Sequence, residues 1–244
     1  MSVLPVPSVG VAGSVGAAPP SRQGLDEAEV LDRRESASGE VVLRRRGEHC
    51  EVIVNGCFLM DTVDGRSERL LVRAALDGLA VVERPSVLIG GLGVGFSLAH
   101  AAAEPRWARI AVVEREAAII DWHRTGPLGA FSAGALDDPR VEVLHTDLVE
   151  YLAGTGERYD ALCLDVDNGP DWTVGAENDR LYGPAGLANA AARLNPGGVL
   201  AVWSAQPSAA FERALREAGF TDVRTEEVAV ERGVPDVVHL ARRA

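Results

Sequence analysis

The chain contains no lysine; all 24 of its basic residues are arginine. Schiff-base chemistry and a lysine general base are thereby excluded. Cysteine is scarce. Cys50, Cys57 and Cys163 are an odd number with no C-x-x-C spacing, which argues against a disulfide framework and against a zinc site. Aromatic residues make up only 5% of the chain, so Val, Leu and Ala must supply most of any core. Basic residues are outnumbered by 36 acidic ones, giving a net charge of −12. A general nucleic-acid-binding surface is basic, so no nucleic-acid partner is expected. No apolar run approaches the roughly 18 residues of a membrane span, so none is expected. The opening "MSVLPVPSVGVAGSVGAAPP" has no basic start and is broken by Pro and Gly. It reads as a tail rather than a signal peptide, and a reduced, cytoplasmic protein is the default.

What is present suffices for one sizeable α/β domain and a smaller unit: 47% of the 244 residues are apolar. Residues 1–38 are low in complexity and then charged, and a disordered tail is expected there. In residues 39–66, "EVVLRRRGEHCEVIVNGCFLMD" gives β-rich runs with a tight-turn signal at Asn55-Gly56, predicting a small N-terminal β unit of about three strands. "SERLLVRAALDGL" has helical spacing, with Ser67 as its expected N-cap. Beyond Pro85, apolar runs ("SVLIGG", "RIAVVE", "VEVLHTD", "YDALCLD", "GGVLAVWSA") alternate with helical stretches. Such alternation predicts a parallel sheet covered on both faces. The last two strand-like runs have no helix between them and predict a closing antiparallel hairpin. Residues 67–244 are thus expected to form a mostly parallel seven-stranded, Rossmann-like sheet.

"VLIGGLGVGFSLAHAAA" reads as strand, glycine turn and helix, with Gly90, Gly91, Gly93 and Gly95 in the turn. Glycines let the backbone turn tightly and approach a ligand, and the following helix N-terminus favours polar or anionic groups. A glycine-rich turn without a ligand is the plain alternative. The setting favours a ligand. The second strand ends at Glu114, 19 residues beyond Gly95, where an acid can accept hydrogen bonds from ribose hydroxyls. The third leads to Asp147 and Leu148, and the fourth ends at Asp165. Ligands of open α/β sheets bind outside these carboxyl edges. Gly90, Gly91, Gly93, Gly95, Glu114, Asp147, Leu148 and Asp165 are therefore expected to ring one cofactor cleft, although Asp147 would also serve simply as a helix cap. A dinucleotide or a nucleoside of the S-adenosylmethionine type fits such a cleft. The G-x-G-x-x-G spacing fails whether counted from Gly90 or from Gly91, and the closing hairpin suits the nucleoside, which is favoured.

From about residue 40 onward the chain resembles the spermidine/spermine synthase family. The likeness rests on "VLIGGLGVGF", "VVERE", "DDPRVEVLHTDLVEYL" and "YDALCLDVDNGP". It implies the class I methyltransferase fold and decarboxylated S-adenosylmethionine as co-substrate. It further implies Glu114 on the ribose, Asp147 on the adenine, and Asp165 orienting and deprotonating an attacking amine. The N-terminal β unit also fits the family, and together they point to a homodimer. Three places differ. Gly93 and Val94 stand where the family loop carries an Asp. Met60, Ser67 and Glu68 stand near its polyamine-gripping residues. D-V-D-N-G-P replaces D-x-x-D-P.

Aminopropyl and methyl transfer are both displacements at a carbon beside a sulfonium, and each needs an aligned nucleophile and a proton acceptor. Asp165 and Asp167 are the catalytic candidates, and two carboxylates this close should raise one pKa. Turn chemistry is the alternative for both, since Asp and Asn bond readily to the local backbone. A magnesium or calcium site at "DVDN" lacks a further acidic cluster nearby in sequence, so no metal is expected. Trp172, Asn178, Asp179 and Tyr182 could form a lid, or Asn178 or Asp179 could cap a helix. His123, His145 and His239 show no ligand spacing and read as ordinary core or surface histidines. Three functions follow: aminopropyl transfer to an amine; methyl transfer from intact S-adenosylmethionine to a small molecule or peptide; and nucleoside binding without catalysis.

Overall fold

The computed structural model describes residues 28–166, 168–171, 178–229 and 234–244. Its first sheet is an antiparallel meander, β1 (Glu29–Ser36), β2 (Gly39–Arg46), β3 (His49–Val54) and β4 (Cys57–Asp61), bonded in that order. Asn55 and Gly56 both have positive φ, +51° and +78°, as a two-residue hairpin turn of the predicted kind requires.

β1 corrects the expectation of a tail reaching residue 38 and of about three strands: residues 29–36 form a fourth strand. Its charges make it read as a linker, yet they are satisfied locally. Arg45 bonds Glu29 at 2.5 Å, and Arg33 pairs with Glu40. Two further contacts reach the larger domain. Trp122 Nε1 donates to Asp32 at 2.8 Å and Arg34 donates to Asp121 at 2.7 Å. Inward-facing Val41, Leu43, Cys50 and Val52 are buried and share the main core, so the small sheet is packed onto its neighbour.

Helix α1 (Arg66–Gly78) follows. The expected Ser67 cap is not used. Gly65 occupies the cap position without a side-chain bond, and the Ser67 hydroxyl donates to Glu68 at 3.1 Å. A Cβ on Gly65 would stand 2.5 Å from the Phe96 ring, which explains glycine where a capping side chain was expected.

The second sheet comprises β5 (Ser86–Gly90), β6 (Arg109–Glu114), β7 (Val141–His145), β8 (Tyr159–Leu164), β9 (Leu194–Ser204), β10 (Phe220–Val228) and β11 (Asp236–Arg243). Their order is β10-β11-β9-β8-β5-β6-β7. β5 through β9 pair in parallel, and β11 is antiparallel to both β9 and β10, giving the predicted closing hairpin. The helices are α2 (Phe96–Ala103), α3 (Ala117–Arg124), α4 (Leu148–Gly154), α5 (Asp179–Tyr182), α6 (Pro184–Arg193) and α7 (Ala209–Glu217).

The strand period of two sorts the core into layers. Val87, Ile89, Ala161 and Cys163 face α1, α2 and α3. Leu88, Leu162 and Leu164 face α4, α6 and α7. Each fully buried Leu or Ile stabilises by roughly 1.5–3 kcal/mol. The sheet grows to one side through β6 and β7, then resumes on the other side of β5 with β8. That reversal opens a crevice beyond the carboxyl ends of β5 and β8, where such sheets bind ligands. Among the described residues no helix is long and apolar enough to cross a membrane.

Candidate active site

The crevice is a cavity of about 710 Å³. The floor is the loop between β5 and α2, and Asn55, Leu59 and Met60 of the small sheet form the opposite wall. Gly91 and Gly93 have φ of +93° and +50°. A Cβ on Gly91 would stand 2.4 Å from the Asp165 carbonyl oxygen, so glycine is what lets β8 end against the loop. The Asp165 amide donates to the Gly90 carbonyl at 2.9 Å, and the Gly91 amide to Val113 at 2.9 Å. Gly90 lies against Leu148, and Gly95 opens α2 with φ +96°.

Glu114 lines the cavity, yet both its oxygens already hold backbone. Oε2 accepts from the Leu92 amide at 2.9 Å and Oε1 from the Glu116 amide at 2.8 Å. Burial pushes its pKa up, and these backbone donors oppose the rise. A carboxylate has about four acceptor positions, so capacity remains for a ligand hydroxyl. Asp147 likewise has two aspects. It caps α4, accepting from the Glu150 amide at 3.0 Å, and it lines the cavity beside Leu148.

Asp165 follows β8 directly and faces the cavity. Its one side-chain hydrogen bond among the described residues is long: the Ser97 hydroxyl donates to Oδ2 at 3.4 Å. Burial pushes its pKa up to about 7, the negative charges of Glu68 and Asp236 add to the rise, and Ser97 opposes it. Burial also raises the pKa of Glu68, as do Asp236 and Asp64. Asp236, at the start of β11, is raised by burial as well. Carboxylates from α1, the end of β8 and the start of β11 therefore act on one another, and among the described residues the charges that shift Asp165 are both negative. Such a group attracts a cationic ligand and can accept a proton near neutral pH.

No family model matches the chain. It is 33% identical over 210 residues to the polyamine aminopropyltransferase of Mycobacterium tuberculosis (strain CDC 1551 / Oshkosh), across 82% of this chain and 38% of that protein. It is 30% identical over 187 residues to the polyamine aminopropyltransferase of Corynebacterium efficiens, across 75% of this chain and 34% of that protein. Over about four fifths of its length the chain is thus similar to polyamine aminopropyltransferases. It spans little more than a third of the length of these relatives. Spermidine synthase from Thermotoga maritima superposes with a TM-score of 0.70 at 16% identity, covering 88% of this chain and 73% of that one, which shows the same fold.

In this chain, Gly91, Gly93, Glu114, Asp147, Leu148 and Asp165 all line the same cavity, and Gly90 and Gly95 shape its loop. Asp167 and Trp172 lie outside the described residues. Of the other lid candidates, Asn178 lines the cavity at the head of α5 without a side-chain cap bond, and Asp179 is the first residue of that helix. Tyr182 is buried and donates to the Val166 carbonyl at 3.0 Å, so it anchors the exit from β8 rather than covering a ligand. Sequence reasoning missed Asp236 and Glu116. Glu116 is buried on the cavity wall, with Arg115 at 3.5 Å. A second acid two residues beyond Glu114 was the available signal for it. Asp236 sends no signal, because only the closing hairpin brings it near Asp165.

Proposed function

We propose that the chain binds decarboxylated S-adenosylmethionine between the glycine loop and the small sheet and transfers its aminopropyl group to a small amine. One observation carries this reading. Asp165, beside the glycine loop, has a pKa near 7 within a group of three carboxylates. The polyamine aminopropyltransferases to which the chain is similar support it.

The chemistry follows from the arrangement. An alkylammonium must lose a proton before its nitrogen can attack. The Asp165 carboxylate accepts that proton, while the charges of Glu68 and Asp236 favour a cationic acceptor. The nitrogen lone pair then bonds to the carbon beside the sulfonium. The carbon–sulfur bond breaks, its electron pair passes to sulfur, and a neutral thioether nucleoside leaves. The product leaves as a secondary ammonium, and Asp165 passes the proton it accepted to solvent, which restores its carboxylate. A sulfonium needs no acid to leave, so the residues serve to align and deprotonate. In this reading Glu114 and Asp147 hold the ribose and adenine, and Asp167 is a second proton acceptor.

Methyl transfer from intact S-adenosylmethionine has one observation in its favour. Arg115 and Arg180 line the same cavity, and a guanidinium suits the carboxylate that the decarboxylated donor lacks. Calorimetric titration with both nucleosides separates the two readings. Tighter binding of the decarboxylated form is expected. Tighter binding of the carboxylated form would sink aminopropyl transfer and favour methyl transfer.

A further inference from the structure

His123 has the features of an ordinary core histidine, apart from what it touches. It sits in the last turn of α3 and is 5% exposed. Its Nε2 lies 2.9 Å from the Gly93 carbonyl oxygen. A carbonyl can only accept, so Nε2 carries the proton. Burial lowers the imidazole pKa, which keeps the ring neutral at pH 7. Nδ1 is buried without a hydrogen-bond partner among the described residues. The ring also fills the space beneath the start of α2, because a Cβ on Gly95 would stand 2.6 Å from His123 Cε1.

In the same loop, Glu114 accepts from the Leu92 amide at 2.9 Å. Leu92 and Gly93 are thus held by two side chains, one amide by a carboxylate and one carbonyl by an imidazole. Gly93 has φ +50° and forms part of the cavity floor. A loop rich in glycine loses much conformational freedom when it is fixed. Two buried side-chain bonds fix it before any ligand arrives, which lowers the cost of binding.

We propose that His123 is a positioning residue for the nucleoside: it donates to the Gly93 carbonyl and, together with Glu114, sets the glycine loop in its binding shape. This rests on the nucleoside reading above, and it concerns the donor substrate rather than the amine. It gives His123 no part in the proton transfer at Asp165.

The test uses the full chain and three proteins: wild type, His123→Phe and His123→Gln. Glutamine can place an N–H near the position of Nε2, whereas phenylalanine fills the space without a donor. Hydrogen exchange is measured on the ligand-free proteins over residues 90–95. Binding of decarboxylated S-adenosylmethionine is measured by calorimetry. Steady-state kinetics give separate KM values for donor and amine. In H123F, loop amides should exchange faster and the donor Kd and KM should rise about tenfold, the worth of one buried hydrogen bond. The amine KM and kcat should stay within about twofold. H123Q should recover most of the loss. Unchanged loop exchange in H123F would overturn the proposal, as would an equal rise in both KM values. If wild type binds no nucleoside, the functional reading fails, and the exchange measurement still decides whether His123 holds the loop.

Discussion

Glu114 and Asp165 are two acids at two strand ends in one cavity, and burial raises the pKa of both. Their surroundings differ in kind. Backbone amides of Leu92 and Glu116 bond to Glu114 at 2.9 and 2.8 Å. Among the described residues Asp165 has a single long side-chain bond, to Ser97, and the charges that shift it are those of two more acids. Donors stabilise the anion and fix its place, so Glu114 serves as an anchor. Like charges with only one long donor bond leave an acid ready to take a proton or a cation, so Asp165 is suited to chemistry. The same residue class thus divides shape from reactivity across one cleft.

The largest effect should come from removing the reactive side. Asp165→Asn should lower turnover by roughly 10²–10⁴, the usual worth of a general base. Nucleoside binding should change little, because Glu114 and the glycine loop are untouched. Wild-type kcat/KM should climb as pH rises through about 7, where the Asp165 carboxylate becomes available, and that rise should be absent from D165N. A variant with unchanged turnover would remove Asp165 from the mechanism.

Next comes the position that joins the two sides. Gly91→Ala puts a Cβ 2.4 Å from the Asp165 carbonyl oxygen, at a φ of +93° that alanine resists. Backbone cannot yield as a side-chain tip can, so a loss of roughly 2–4 kcal/mol is expected in denaturant unfolding. A loss below about 0.5 kcal/mol would mean the loop moves freely, against the picture of a held floor.

The comparison also predicts opposite signs. Glu114→Gln replaces one accepting oxygen with a donor facing a backbone N–H and should destabilise by about 1–3 kcal/mol. Asp165→Asn should stabilise at pH 8. The sign follows from linkage. With a folded pKa near 7 and an unfolded value near 3.9, the folded state holds more protons between those limits. Its stability contribution is full below about pH 4 and is lost as pH rises through about 7. Asparagine removes that loss, at most about 4 kcal/mol at pH 8 and close to nothing near pH 4. Urea unfolding of both variants at the two pH values checks the pair. Destabilisation by D165N at pH 8 would show that Asp165 is satisfied after all.

Much of this was legible in the sequence because the signals are local. Strand runs, glycine spacing and the acids at strand ends all read out within about ten residues, and they gave the sheet and one side of the cleft. β1 was not legible: its charges pair with β2 and α3, and charge of that density reads as linker until the partners are known. Glu68 and Asp236 meet Asp165 only through α1 and the closing hairpin, contacts that no short motif records. His123 read as a core histidine and is one; its bond to Gly93 spans 30 residues of sequence.

The smallest effect separates structure from binding at Asp147. Its Oδ1 accepts from the Glu150 amide at 3.0 Å, and its side chain also borders the cavity, 3.9 Å from Arg115. Asp147→Ala should cost about 1 kcal/mol through the lost cap alone. Asp147→Ser restores a cap of similar quality, yet its shorter side chain withdraws the carboxylate from the cavity. If Asp147 also holds the adenine, the serine variant should unfold within a few tenths of a kcal/mol of wild type and still bind the nucleoside more weakly, by less than about tenfold. Thermal unfolding and calorimetry on the two variants give both numbers. Full recovery of both by serine would make Asp147 a helix cap only, and recognition on that side of the cleft would then rest on Glu114 and its neighbours.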